Sequence, residues 1–405
     1  MKMQIDNFRI EDDELIIGND RISNLISQVR STPFFAYDKE EISSRIFELR
    51  SNFPNEVKIH YAIKANSYPP LLKYISNQID GLDVASKGEI EIALNSGMDP
   101  INVTFAGPGK RKLELDYAIR NGVTINLESK NELNECLKIG KSLNIIPKIA
   151  LRINPDFKLK SFGIEMGGGS SQFGIDVDQV PELLRFIKTK EIKFMGFHIY
   201  NGSQSLNEKH LIEMISNSFN LAKNLANQSS IDIKTLNIGP GFGIPYFMGE
   251  KDLNMKKIGN SFSAFHNDWK KSFPNSEVIL ELGRYLVGSC GMYVCAVVDK
   301  KISKGKTFLI TDGGMHHHLA ASGNLGQIIR KNFPIFNAEK ISEGDREVVD
   351  IVGPLCTSLD VLGAKVEIGK AEIGDYIVIL QSGAYAYYAS PADFLSHPRP
   401  LQILV

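Results

Sequence analysis

The chain has 405 residues, more than a single hydrophobic core usually organises, so two domains are expected. With 43% hydrophobic and 23% charged residues it reads as an ordinary soluble globular protein, and a formal net charge of -1 gives no electrostatic reason to expect a nucleic-acid or membrane partner. The four cysteines (Cys136, Cys290, Cys295, Cys356) lack paired metal-ligand spacing and are too few for a disulfide scaffold, which favours a reducing, cytoplasmic compartment. The opening "MKMQIDNFRIEDDELIIG" is interrupted by charges, unlike a secretory apolar region, and no run approaches the roughly 20 apolar residues that span a bilayer.

Taken in order, "FRIEDDELIIGNDRI" predicts an N-terminal hairpin that packs with a later domain (residues 1–32). Short apolar, β-branched runs then recur: "FFAYD", "VKIHYAI", "GLDVAS", "NVTFAGP", "VTINLES", "KIALRINP", "FMGFHIY", "TLNIGPG" and "VILELG". Stretches with helical periodicity, such as "SKGEIEIALNSG" and "SKNELNECLKIG", separate most of them. Strands alternating with helices indicate a parallel sheet of βαβ units. Eight or nine such units over about 250 residues suit a closed (β/α)8 TIM-like barrel spanning 33–285, with an open doubly wound sheet as the alternative. After Arg284 the texture changes to strands joined by turns, so 286–405 is expected to be an all-β domain.

Barrels of this kind carry their active sites at the C-terminal ends of the strands. There the sequence places Lys64 in "YAIKAN", Asp83 in "DVASKGE", Arg152 in "LRINPD", His198 and Ser203 in "GFHIYNGSQ", the glycines of "NIGPGFG", and Glu281 and Arg284 in "ELGR". A lysine taken partly out of water loses its proton more readily and becomes an amine nucleophile for carbonyl compounds. Glycines let backbone N–H groups approach a phosphate. One such lysine, one phosphate cradle and one carboxylate together suit pyridoxal phosphate, PLP. Each residue alone has a plainer reading: a solvated lysine, a tight Gly turn, a core histidine, a simple ion pair. They become informative as an ordered set.

That ordered set resembles the fold-type III PLP-dependent decarboxylases, which include diaminopimelate, ornithine and arginine decarboxylases. The likeness rests on "YAIKAN", "LDVASKGEI", "NIGPGFGIPYF", "ELGRYLV", "GPLCTSLD" and "SGAYAYYASPADF", and runs from about residue 33 to the C-terminus. "FAGPGKRKLEL", "HIYNGSQSLN" and "DGGMHHHLAASGN" are similar to a subgroup associated with exosortase and exopolysaccharide gene clusters, together with the glutamyl-carrier-protein decarboxylase. The resemblance implies that Lys64 holds PLP through an imine, His198 stacks on its ring and Glu281 pairs with the ring nitrogen. It puts Ser203, Gly241, Gly243, Gly283, Arg284 and Tyr385 around the phosphate, with Asp83 and Arg152 in support. It also implies a homodimer with shared active sites, in which Cys356 reaches the partner's site and protonates the carbanion. Arg284, His318, Thr357, Asp360 and Tyr385 would meet substrate. An alanine racemase would suit Arg in place of Glu281, and a non-catalytic PLP-binding homologue would be expected to lose Lys64, Glu281 or Cys356; all three are present.

Departures from the family pattern bear on substrate. Diaminopimelate and ornithine decarboxylases follow the cysteine with an acid for the substrate's distal ammonium, whereas this chain has Thr357, with Asp360 as possible compensation. Ala320 and Asn324 stand near the places of an arginine and a tyrosine that bind the distal carboxylate in diaminopimelate enzymes, Arg330 being a possible substitute. "HIYNGSQ" is two residues longer than the usual "HIGSQ". The run His316–His318, read as a strand, would alternate faces and is not expected to bind a metal. A substrate-facing loop is expected there. The expected activity is α-decarboxylation of an amino acid with an uncharged or acylated distal end, such as carrier-protein-linked glutamate, with diaminopimelate decarboxylase as the alternative. A carrier would dock on a basic patch at Lys110, Arg111 and Lys112, a run equally readable as a solvated helix start.

Overall fold

The computed structural model describes residues 9–157, 164–165, 169–200, 202–247, 249–325, 327, 329–341 and 344–405. Eight of the apolar runs form parallel strands: β1 (Lys58–Ala62), β2 (Gly81–Val84), β3 (Val103–Phe105), β4 (Thr124–Leu127), β5 (Lys148–Asn154), β6 (Lys193–Tyr200), β7 (Thr235–Gly239) and β8 (Glu277–Leu282). Neighbours pair in parallel all the way round, and β8 returns to β1 through Glu281 opposite His60. The sheet is therefore a closed barrel, and the open alternative is excluded. Strands β2, β3 and β4 are buried at every position, as expected of a parallel strand covered on both faces.

The intervening helices start where the local chemistry supplies caps. Ser86 and Ser129 each accept the amide three residues on, from Glu89 and Glu132. Those two glutamates reach back to the amides of Ala85 and Glu128 at 2.6 and 2.7 Å, so each helix start is tied to the strand end before it. On the barrel's outside, Phe262 meets Phe53 and Phe219 at centroid distances of 5.2 and 5.4 Å and is fully buried; its truncation to alanine would cost ~3–5 kcal/mol.

By compactness the chain divides into Arg45–Ile244 with Lys251–Tyr285, which holds the barrel, and Met1–Ser44 with Pro245–Glu250 and Leu286–Val405. These differ from the expected boundaries at residues 33–44 and 245–250. The strand Phe34–Tyr37, expected to open the barrel, is instead a strand of the β unit. It pairs antiparallel with Gly291–Ser303 and parallel with Leu401–Leu404. All four of its residues are buried, so it lacks the alternation that would have told one sheet from the other.

Within the β unit, strands run in the order Ile335–Asn337, Tyr376–Ile379, Gly291–Ser303, Lys306–Thr311, Arg346–Val352, Val361–Gly369. The N-terminal segment is a three-stranded antiparallel meander, Arg9–Glu11, Glu14–Ile17 and Asp20–Arg21, followed by helix Ile22–Val29. Its Leu15, Ile17, Ile22 and Leu25 join Phe34, Met292, Val294 and Val378 in one core. Among the described residues, no helix is long and apolar enough to cross a membrane.

Candidate active site

Lys64 follows β1 directly, in the 3-10 turn Ile63–Ala65. Its amine lies 3.9 Å from Oε1 of Glu281, on β8. The other oxygen of Glu281 is 2.8 Å from Nε2 of His198, on β6. Burial by itself would push the Glu281 carboxyl up, but the charges of His198, Lys64 and Arg152 outweigh it and hold the group ionised, well below the usual carboxylate range. The lysine, histidine and glutamate thus converge although 134 residues separate Lys64 from His198 in the chain. Closure of the barrel between β8 and β1 is what unites them.

Asp83, on β2, sits deeper. It accepts from the hydroxyl of Thr104 and from Nδ2 of Asn237 at 3.3 Å, with Nδ1 of His60 at 3.4 Å. Arg152, on β5, donates to Glu128 at 3.0 Å, and its guanidinium lies 4.8 Å from the centre of the Phe173 ring. Glu128 also accepts the amides of Gly107 and Gly174 at 2.6 and 3.0 Å. Burial raises the Glu128 carboxyl, yet Arg152, Lys110 and the two amides more than reverse this and keep it charged.

Lys110 belongs to the same cluster, 2.9 Å from Glu132 with its side chain 1% exposed. The basic patch expected at Lys110, Arg111 and Lys112 therefore loses its first member to the interior, and Arg111 is engaged by Glu114 at 2.9 Å. Glu128 and Glu132 escaped the sequence reading. The one available signal was that "NLES", like "DVAS", ends a strand with a polar residue.

At the ends of β6 and β7 the backbone forms a small cradle. Ser203 lies on the two-residue strand Gly202–Ser203, and Ser205 exchanges backbone bonds with Gly241 and Gly243 at 3.1 and 2.9 Å. Gly241 has φ +70°, a left-handed conformation that a side chain disfavours. At Gly243 a Cβ would press within 3.0 Å of the Ser205 carbonyl. Gly283 packs on Ala65 beside the lysine turn, and Arg284 opens the short helix Arg284–Val287.

The remaining expected residues lie in the β unit. Cys356 is exposed, while Cys136, Cys290 and Cys295 are buried. Tyr385 is half-buried with φ +58°, and Thr357 caps its own turn by accepting the amide of Leu359. Two expectations need correction. Asp360 is 2% exposed, and its two oxygens accept the amides of Met315 and Leu355 at 2.6 and 2.9 Å. It clamps two loops rather than offering a carboxylate to an ammonium.

The histidine run is not a strand but a turn, and all three rings are buried. His317 contacts the Tyr293 hydroxyl and the Pro398 carbonyl, while His318 accepts the Ala321 amide and bonds Ser382. Both nitrogens of His318 are thus committed inside its own unit, which removes it as a substrate reader. Arg330 donates to the carbonyl of Val361. No group of three or more metal-ligating side chains occurs among the described residues.

The barrel residues fit pyridoxal phosphate. Glu281 is a buried carboxylate held ionised and suited to a protonated ring nitrogen, and Nδ1 of the buried His198 has no hydrogen-bond partner among the described residues. An amine stands on one side of them, and a side-chain-free backbone cradle lies at the ends of β6 and β7.

The description "Pyridoxal-dependent decarboxylase, pyridoxal binding domain" matches residues 39–288. The chain is 38% identical to the L-glutamyl-[BtrI acyl-carrier protein] decarboxylase of Niallia circulans, over 92% of this chain and 88% of that one. It is 30% identical to the 2-[(L-alanin-3-ylcarbamoyl)methyl]-2-hydroxybutanedioate decarboxylase of Staphylococcus aureus, over 94% and 95% of the two chains. Diaminopimelate decarboxylase of Helicobacter pylori, solved with L-lysine, superposes with a TM-score of 0.85 at 28% identity, covering 95% of this chain and 94% of that one. With its barrel, its lysine–carboxylate pair and these relatives, the chain belongs to the pyridoxal-dependent decarboxylases and is a PLP-dependent carboxy-lyase acting on an amino acid or amino-acid derivative.

Proposed function

We propose that the substrate is an α-amino acid whose distal end is acylated, with a glutamyl group on a carrier protein as the leading candidate. The observation that carries this reading is the position of Asp360. Thr357 stands where related enzymes place an acid for a distal ammonium, and Asp360, three residues on, is spent on the amides of Met315 and Leu355. Gly314 and Gly353 hold it there, since a Cβ at either would lie 2.3 Å from a carboxylate oxygen. A substrate ammonium buried without a partner is costly, so a free diamine end is disfavoured. Two relatives support the same class, because their names denote a carrier-linked glutamyl group and an amino acid carrying a carbamoyl substituent.

Bound PLP supplies the sink for the electron pair left at Cα when CO2 departs. Lys64 would hold the cofactor, and Glu281 would keep a proton on its ring nitrogen. His198 would cover the ring face, and the backbone around Gly241 and Gly243 would receive the phosphate, with Ser203, Gly283, Arg284 and Tyr385 beside it. Asp83 and Arg152 support this set from the barrel interior. Cys356 of one protomer would return a proton to Cα in its partner's site, so we expect a homodimer. The four free thiols suit a reducing cytoplasm.

The test is CO2 release by purified protein from carrier-bound glutamate, meso-diaminopimelate, lysine, ornithine and arginine. Turnover of the carrier-bound substrate with little of the free diamines is expected. Turnover of meso-diaminopimelate at a rate of about 1 s⁻¹ or more would instead establish the diaminopimelate reading, which relatives such as the Aquifex aeolicus enzyme, 30% identical, favour.

A further inference from the structure

Tyr200 ends β6 two residues beyond His198, in the segment that is two residues longer than the usual family pattern. Its ring is buried at 9% exposure. The ring rests against the bare α-carbon of Gly239 on β7, where a Cβ would lie 1.9 Å from Cδ2 and 2.6 Å from Cε2. Only glycine leaves that seat open.

Among the described residues, two cations meet the seated ring. The Lys64 amine is 5.1 Å from its centre and the Arg152 guanidinium 6.0 Å, both within the range of a cation–π attraction. Arg152 is itself fixed by Glu128 and the Phe173 ring. The ring therefore has backbone behind it and an anchored guanidinium to one side, and the face it offers Lys64 is set by the fold.

We propose that Tyr200 is a positioning residue for Lys64: its ring, seated on Gly239, holds the amine at the end of β1 and sets how freely that amine acts as a nucleophile. The proposal rests on Lys64 being the cofactor-holding lysine. Among the described residues, the carboxylates of Glu281, 3.9 Å away on β8, and of Glu89, on helix Lys87–Asn95, also act on this amine. Both favour the ammonium form, as the ring does, and Arg152 opposes it. Replacing the ring by a side chain of similar bulk and no π face removes one stabiliser of the ammonium. The neutral amine becomes more abundant.

The experiment is acetic anhydride labelling of apo-protein near neutral pH, with Lys64 followed by mass spectrometry against Lys271, whose side chain is 78% exposed, as an internal reference. Tyr200→Leu should label Lys64 about two- to fivefold faster than the native chain, and Tyr200→Phe at the native rate. Gly239→Ala displaces the ring from the opposite side and should shift the rate in the same direction as the leucine variant, which keeps the proposal testable if one of the two fails to fold. Native or slower labelling in both Tyr200→Leu and Gly239→Ala would overturn it, as would a phenylalanine variant that matches leucine. Because the labelling uses neither cofactor nor substrate, it is separate from the identity of Lys64. That identity is read by borohydride reduction of native holoprotein, which should mark this side chain.

Discussion

Lowering pH should weaken the β unit through its buried histidines, and His318 isolates the effect. Its Nδ1 accepts the Ala321 amide at 3.2 Å, so the proton of the neutral ring is on Nε2 and is donated to Ser382 Oγ at 2.9 Å. A second proton at Nδ1 would face a backbone N–H in a fully buried site. Burial accordingly pushes the imidazole down to about 3 from its ordinary 6.5. The folded state thus refuses a proton that the unfolded chain takes up, and stability is lost as pH falls below about 6.5. Between pH 7.5 and 5.0 one such group contributes a loss of about 2 kcal/mol. His316 and His317, pushed down by burial to about 3 and about 4, act with the same sign. Urea unfolding of the native chain and of His318→Gln at both pH values reads the effect as a difference of differences, so the variant's own stability drops out. The pH-dependent loss should be smaller by about 2 kcal/mol in the variant. An identical pH dependence in the two proteins would refute the argument.

Lys64→Ala should abolish the near-ultraviolet to visible absorbance of a lysine-linked cofactor; a band that persists would remove Lys64 from its role. Iodoacetamide at neutral pH should modify Cys356 alone, because burial pushes Cys136 up to about 12 and Cys290 and Cys295 well above their ordinary value. Cys356→Ser should lower kcat by about 10²-fold if the thiol is the proton donor, and an unchanged kcat would assign the proton elsewhere. Glu128→Gln removes a buried charge that faces Arg152 and Lys110 and should cost about 3 kcal/mol in urea unfolding; a loss below about 1 kcal/mol would mean that the carboxylate's charge adds little to the stability of the barrel. Thr357→Glu restores an acid where a distal ammonium would sit and should raise kcat/KM for meso-diaminopimelate at least about tenfold, equivalent to about 1.4 kcal/mol. No gain would place the selectivity outside this position.

The barrel was legible because its eight strands are short apolar runs, most of them followed by helical periodicity. The convergence of Lys64, His198 and Glu281 was legible because polar side chains are unusual at or just beyond the ends of apolar strands and these occur in a recognised order. Networks assembled by closure were not. Glu128 draws its partners from Gly107, Arg152 and Gly174, which lie 21, 24 and 46 residues away, and no local pattern announces such a meeting. Asp360 and His318 misled for the opposite reason. Their residue types suggest ligands, but backbone amides at Met315, Leu355 and Ala321 claim them first. Residue type reveals what a side chain can do, whereas its hydrogen-bonding neighbours decide what remains available to do it.

The clamp at Asp360 has an evolutionary consequence. Its carboxylate is wedged between Gly314 and Gly353 with both oxygens occupied, so any drift that swung it outward toward a new ligand would release two loops at once. A lineage moving between acylated and diamine substrates is steered around that residue. Position 357, one step along the chain from the exposed thiol, would be the more open route, since a new acid there costs the hydrogen bond that the Thr357 hydroxyl accepts from the Leu359 amide rather than two loop clamps.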